Sequence, residues 1–317
     1  MDIVHGYGLT AAVVDAAEGI TRGWSTVPDL DMVRVNEPAA SDVPGLLAAG
    51  FTHKPTRLTW LGATGADDED FIRRLSLKQR SNVRVAARRA REEGLSVEVR
   101  RPVDEALLDS FLELYERRVA LMVNGLPLAR RQAPEIAGNP DYFAVVGYRD
   151  GRLAGCTVCQ HCPDLDMLRL RYSAVEADQR RASLARVMYL EAVRQARAAG
   201  YRWTTLGNDP NIYGHLVKPG LLAFKASLGF RPVPSHAVLP GDGNDEADVI
   251  VNLGAFTDPT ILLGYPVGGG TQVIDGVGWP ALEVVVLSAG PAPDLRRYAV
   301  PGLAGPRLVP PGGARRP

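Results

Sequence analysis

Leu-Gly-Asn-Asp-Pro-Asn-Ile-Tyr-Gly-His-Leu-Val-Lys-Pro-Gly-Leu-Leu-Ala-Phe-Lys-Ala-Ser-Leu-Gly-Phe-Arg-Pro, residues 206–232, is the stretch from which the rest of the chain is read. An apolar strand, Arg202 to Leu206, runs into a loop crowded with Asn208, Asp209, Asn211, Tyr213, His215 and Lys218. A short amphipathic helix, Leu221 to Leu228, follows, and Gly229 ends it before the strand Phe230 to Val233. Loops held by rigid elements on both sides are where working residues concentrate, so the candidate chemistry is placed here.

Working toward the N-terminus, Leu184, Val187, Met188, Ala192, Ala196 and Ala199 recur at helical spacing, with Ser183 as cap and Gly200 as stop. Before it lies a three-stranded antiparallel meander: Tyr142 to Tyr148, a hairpin turn at Asp150-Gly151, Leu153 to His161, a turn at Pro163-Asp164, and Met167 to Val175. Asp104 caps a helix with Leu108, Phe111, Leu112, Tyr115, Val119 and Met122 on one face, closed by Asn124-Gly125. An earlier helix is expected between the acidic turn Asp67 to Asp70 and Gly94. Residues 1 to about 66 alternate short apolar runs with Pro and Gly, as a small α/β subdomain would. Beyond Pro234 the composition turns to Gly and Pro around three short apolar runs, which reads as a β appendage with a disordered tail. The expected division is an N-terminal subdomain at 1–95, a central domain at 96–236 and an appendage at 237–317.

A chain of 317 residues that is 46% hydrophobic can bury a full core. Its 36 basic and 36 acidic residues leave no global field for nucleic acid or membrane. One local patch departs from that balance. From Phe71 to Arg101 there are ten basic residues against three acidic ones, a net of +7, enough to hold a phosphate-rich ligand such as a nucleotide tail or RNA. The start, Met-Asp-Ile-Val-His, has no leader pattern, and no run of about eighteen apolar residues occurs. The expectation is a cytoplasmic protein without membrane insertion. Cys156, Cys159, Cys162 and His161 look like a metal cluster, but on a strand Cys156 and Cys162 face one side and Cys159 and His161 the other. No metal is expected.

From Phe71 to Pro234 the element order resembles the GNAT acyltransferase fold, and within it the FemAB-like branch, of the CelD acetyltransferase type. Four features carry the resemblance: the basic run Lys78-Gln79-Arg80-Ser81-Asn82-Val83-Arg84, the hairpin Asp150-Gly151-Arg152-Leu153-Ala154-Gly155, the long helix after Ser183, and Gly220-Leu221-Leu222-Ala223-Phe224-Lys225 with Leu228-Gly229-Phe230. The resemblance implies an α/β (α+β) fold with a mixed, mainly antiparallel sheet flanked by helices. It implies acyl-CoA, acetyl-CoA first, as co-substrate. The donor's pyrophosphate would sit at the start of the long helix, where the matching run is Arg180-Arg181-Ala182-Ser183-Leu184-Ala185, with Ser183 in place of the family's usual glycine. Gly155, Cys156, Thr157, Ala174 and Val175 would line the donor.

Lys225 stands where many members carry a tyrosine acid, and the FemAB-like branch is similar in having lysine there. It is the first candidate for stabilising the oxyanion of acyl transfer. His215 and Asp209 are candidate bases, since histidine titrates near neutrality and a carboxylate can orient an ammonium group. Asn208, Asn211, Tyr213 and Lys218 are candidate acceptor-binding residues. The leading expectation is an N-acyltransferase acting on an amine of a small molecule or cell-envelope precursor. Because the branch also contains members that draw on aminoacyl-tRNA, a charged tRNA bound through the basic helix is the alternative. A non-catalytic binding module on a degenerate GNAT fold is the third.

Overall fold

The computed structural model describes residues 1–24, 27–121, 127–178, 184–290 and 293–309. The chain divides into two compact units. One is built from residues 61–207 and 227–230, the other from residues 1–60, 208–226 and 231–317.

The unit around residues 61–207 holds the mixed sheet that the element order implies. Leu95–Arg100, Tyr142–Arg149, Arg152–Cys162 and Met167–Val175 pair antiparallel in sequence order, and Met167–Val175 then takes Trp203–Pro210 as a parallel neighbour. The hairpin closes at Arg149↔Arg152, with Asp150 (φ 50°) and Gly151 (φ 71°) both left-handed, the geometry a two-residue turn of this hand requires. Period-two alternation then sorts the side chains. Tyr142, Ala144, Val146, Cys156, Val158 and Ala174 join Phe111 and Leu112 of the helix Glu105–Val119 in one core. Phe143, Val145, Cys159, Leu168 and Leu170 join Leu184, Met188, Ala192 and Ala196 of the helix Leu184–Ala198 in the other.

Two features of this unit depart from the expected elements. The helix foreseen between Asp67 and Gly94 is two, Asp68–Arg73 and Leu77–Glu92. Asp67 caps the first as expected, but Ser76 and Gln79 form a reciprocal capping box that restarts the chain as a second helix. The strand Leu95–Arg100 was not foreseen at all; it is the edge strand, alternately half-buried and exposed along its length. The expected helix end at Met122 and Asn124-Gly125 lies outside the described residues.

The other unit contains a five-stranded sheet in the order Asp2–Gly6, Leu9–Val13, Met32–Asn36, Asp245–Ile250, Thr52–Pro55. This corrects the reading of residues 237–317 as an appendage. Asp245–Ile250 is an inner strand, laddered to Met32–Asn36 on one side and Thr52–Pro55 on the other. Ala247 and Val249 point into the core with Val33, Val35, Leu46 and Phe51. Thr260–Gly264, Glu283–Leu287 and Ala304–Val309 form a smaller sheet, and Leu262, Val285 and Leu287 pack with Leu9, Met32, Ile212 and Ile250. Among the described residues no helix is long and apolar enough to cross a membrane.

Candidate active site

Asp209 lies near the end of the strand Trp203–Pro210, and Lys225 in the last turn of the helix Pro219–Ser227. A helix C-terminus is a favourable place for a cation. The two side chains meet: Lys225 Nζ is 2.7 Å from Asp209 Oδ1. Each residue is only 6% exposed. The second carboxylate oxygen, Oδ2, accepts from the indole N–H of Trp60 and the hydroxyl of Tyr213, both at 2.9 Å. Trp60 Nε1 also lies 3.1 Å from the Tyr213 hydroxyl, and both residues are fully buried. Lys225 Nζ stands 5.8 Å from the centroid of the Trp60 ring.

The electrostatics follow from that burial. Taking the Lys225 ammonium out of water pulls its pKa below the ordinary 10.5, while Asp209 works in the opposite direction. Burial and the nearby Asp209 carboxylate push the Tyr213 phenol well above its ordinary value, so it stays a neutral hydrogen-bond donor. The arrangement is a cation held on one oxygen of a carboxylate whose other oxygen is fixed by two neutral donors. Trp60 carried no chemical signal in the sequence, since an indole at the end of Arg57-Leu58-Thr59-Trp60 reads as core.

The remaining loop candidates go elsewhere. Asn208 accepts from Thr59 Oγ1 at 2.9 Å and donates to Asp242, which also receives Ser235 Oγ at 2.6 Å. Asn211 is buried: its Nδ2 donates to the carbonyls of Pro55 and Leu263, each at 2.8 Å, and its Oδ1 accepts the Leu263 N–H at 2.8 Å. That amide is a backbone staple, and its capacity is directed at the fold rather than at a ligand. His215 Nε2 is 2.9 Å from the Tyr7 carbonyl, with its ring 5.2 Å from that of Phe256, apart from the Asp209 cluster. Lys218 is exposed.

On the donor side, Arg180, Arg181 and Ser183 lie outside the described residues. Leu184 is buried and Ala185 half-buried in the first turn of the long helix. Gly155, Cys156 and Thr157 are laddered to Val175, Ala174 and Ser173. A Cβ on Gly155 would fall 2.8 Å from Val175 Cγ1 and 3.1 Å from Leu184 Cδ2, so this glycine lets the long helix approach the sheet. The parallel ladder between Met167–Val175 and Trp203–Pro210 covers only Met167 to Arg169 against Trp203 to Thr205. Beyond those residues, among the described residues, the edge of Leu170 to Val175 that faces away from Arg152–Cys162 has no ladder partner.

A sequence comparison matches residues 77–214 to the model described as the acetyltransferase (GNAT) domain. The match includes Asp209 and Tyr213 and ends before Lys225. Among solved structures, the chain is similar to FemX at 14% identity and a TM-score of 0.46, over 71% of this chain and 73% of that one. It is similar to L-PGS from Bacillus licheniformis at 11% identity and a TM-score of 0.41, over 69% and 68%. It is also similar to an aminoglycoside acetyltransferase from an uncultured soil metagenomic sample, at 10% identity and a TM-score of 0.29, over 35% and 75%. A comparison with curated proteins gives no match. Among the described residues no group of three or more His, Cys, Asp or Glu is placed to hold a metal ion, and Cys156 and Cys159 belong to opposite cores.

Proposed function

We propose that the protein is an N-acyltransferase that moves an acyl group from acyl-CoA, acetyl-CoA first, to an amine of a small molecule or a cell-envelope precursor. The observation that carries this reading is the buried Lys225–Asp209 pair set at the end of a GNAT-domain strand. A buried ion pair contributes little net stability compared with apolar residues of the same volume, so its presence points to a task. The thioester supplies an activated carbonyl. Attack by the amine nitrogen forms the C–N bond and puts negative charge on the carbonyl oxygen, to which Lys225 donates; collapse then breaks the C–S bond, and the proton lost from the nitrogen ends on the departing thiolate, giving the amide and free CoA thiol. Asp209 keeps the ammonium aimed, and Trp60 with Tyr213 keeps Asp209 from turning. The same cation disfavours a second positive charge beside it, so the acceptor binds more readily as the neutral, nucleophilic amine.

The test is release of free CoA thiol from acetyl-CoA in the presence of an amine panel. Lys225→Ala should lower kcat by about a hundredfold or more, the cost of removing one oxyanion donor in acyl transfer. A folded Lys225→Ala protein turning over at the wild-type rate removes Lys225 from the mechanism.

One observation favours a second donor. The helix Leu77–Glu92 presents Arg84, Arg88 and Arg91 to solvent on one face, with Lys78 exposed in its first turn, positive charge that a phosphate backbone would take up. An aminoacyl-tRNA donor would make the activity sensitive to RNase and dependent on these four side chains, neither of which holds for acyl-CoA.

A further inference from the structure

Across the GNAT sheet, Tyr142, Gln160, Arg169 and Thr205 stand opposite one another in successive ladders, so their side chains share one face. Tyr142 places that face on the side of the helix Glu105–Val119, opposite the long helix whose start would hold the donor. Arg169 is the last residue laddered to the strand Trp203–Pro210, and Arg171 follows at the bulge where the register with Val158 and Cys159 slips.

Among the described residues, neither arginine pairs with a carboxylate. The Arg171 guanidinium donates to two amide oxygens, Gln160 Oε1 at 2.8 Å and Gln132 Oε1. Gln132 is held in turn by the Tyr172 hydroxyl at 2.5 Å. Among the described residues, Arg169 Nε is buried with no hydrogen-bond partner. The acid at this face, Glu135, is taken by the Tyr142 hydroxyl at 2.5 Å. Asp141 and Asp164 lie near enough to act on the Cys162 thiol, as do both arginines, yet neither aspartate forms an ion pair with them. Two guanidiniums, one oriented by neutral amides and one with its buried Nε unpartnered, are arranged to receive an oxyanion from outside the chain.

We infer that Arg169 and Arg171, with Gln132 and Gln160, form a recognition site for an oxyanion, a carboxylate or phosphate monoester, carried by the acceptor amine. This rests on the acyl-transfer reading for the word acceptor; the anion site itself does not. The acceptor class it defines is an amine that also bears an acidic group.

Two sodium salts, glutarate and inorganic phosphate, separate the two sources in titrations of the full chain. Binding is followed by the arginine Nε–Hε resonances, with Arg169 assigned from its absence in Arg169→Gln. The expected result is a saturable shift of the Arg169 resonance, with the tighter salt naming the oxyanion. Loss of one charge-assisted contact should weaken binding about tenfold or more in Arg169→Gln and leave it unchanged in Arg296→Gln, a control at an exposed arginine elsewhere in the chain. An Arg169 resonance unmoved by both salts in the wild type overturns the inference without recourse to any variant. So does equal affinity in Arg169→Gln.

The second arm uses acetyl-CoA with matched amines: β-alanine against n-propylamine, and O-phosphoethanolamine against ethanolamine. The site predicts that Arg169→Gln raises KM about tenfold for the acidic member and leaves the neutral one alone. Equal KM changes for both members overturn it. Saturable anion binding with no acetylation of any amine supports the site and counts against the acyl-CoA reading instead.

Discussion

Lys225 is held inside the protein as a cation whose pKa has been pulled down from 10.5 by burial, and two consequences of opposite sign follow. As pH rises through that lowered value the ammonium loses its proton, and with it the proposed oxyanion donor. Activity should therefore fall on the alkaline side at a pH below 10.5. Stability moves the other way: between the folded-state pKa and 10.5 the unfolded chain binds more protons than the folded one, so this group's contribution rises with pH. An alkaline loss of activity in that window is then not unfolding through Lys225. Lys225→Arg keeps a permanent charge at the position, and its pH–kcat profile should lack the limb, though with a lower plateau because the planar fork does not reproduce the ammonium geometry. An identical alkaline limb in Lys225→Arg would assign that limb to another group.

At the scale of elements, the loop after Asp209 is held by Asn211, whose partners lie 156 and 52 residues away in the chain. That distance is why its role was not legible. An asparagine in a Gly/Pro-rich loop reads as a turn former or ligand contact, and the carbonyls that claim it arrive from strands no local pattern connects to it. Asp209, Tyr213 and Lys225 were legible, because acids, phenols and amines crowded beside a family signature stand out from an apolar background. Trp60 was not, since its indole N–H matters only once Asp209 is beside it. Likewise the break at Arg74 to Ser76 was written in the capping pair Ser76 and Gln79, but the continuous helical propensity around it masked the signal. The staple makes a definite prediction. Asn211→Ala leaves the Leu263 N–H and C=O and the Pro55 C=O buried without their partner, which should destabilise the fold by about 3 kcal/mol. A chemical-denaturation midpoint unchanged from wild type would mean that water replaces the amide.

The neighbouring strand Asp245–Ile250 carries a four-charge network in the same terms. Asp248 accepts Arg34 Nε and Nη2, both at 2.8 Å, and lies 3.0 Å from Lys54 Nζ, while Glu246 also contacts Lys54 and Arg34. Burial opposes its charge, but Lys54 and Arg34 outweigh that and hold the Asp248 carboxyl at about 2, below the ordinary 3.8. Its contribution to stability is complete above pH 3.8 and is lost as pH falls from there through about 2. Burial and the adjacent Asp248 charge push Glu246 upward instead, so Asp248 is the group that carries the acid dependence. Asp248→Asn should cost about 3–5 kcal/mol at neutral pH, the usual result of removing one partner from a buried pair. The gap to wild type should narrow by roughly 2 kcal/mol over pH 3.8 to 2 as the wild-type carboxylate protonates; a gap constant with pH would locate the whole effect in packing.

For the whole molecule, composition and topology give different divisions of the chain. The Gly- and Pro-rich residues after 236 look detachable because few of them carry apolar periodicity, and periodicity is a local property. Ladder partners are not local: Glu246 to Ile250 meet Met32 to Asn36, and Asp245 to Asp248 meet Thr52 to Pro55. Deleting that strand turns the inner strand Met32–Asn36 into an edge, takes from Thr52–Pro55 its ladder partner in this sheet, removes Ala247 and Val249 from the core, and leaves Lys54, fully buried, without either of its acids. A chain ending at residue 240 should therefore fail to fold its N-terminal region even though it keeps the whole GNAT-domain match at residues 77–214. Limited proteolysis reads this directly, with cleavage in residues 1–60 expected at concentrations of protease that leave the full-length protein intact. If the shortened chain resists cleavage there and melts cooperatively at the full-length Tm, the strand from Asp245 is an ornament on the sheet and not one of its members.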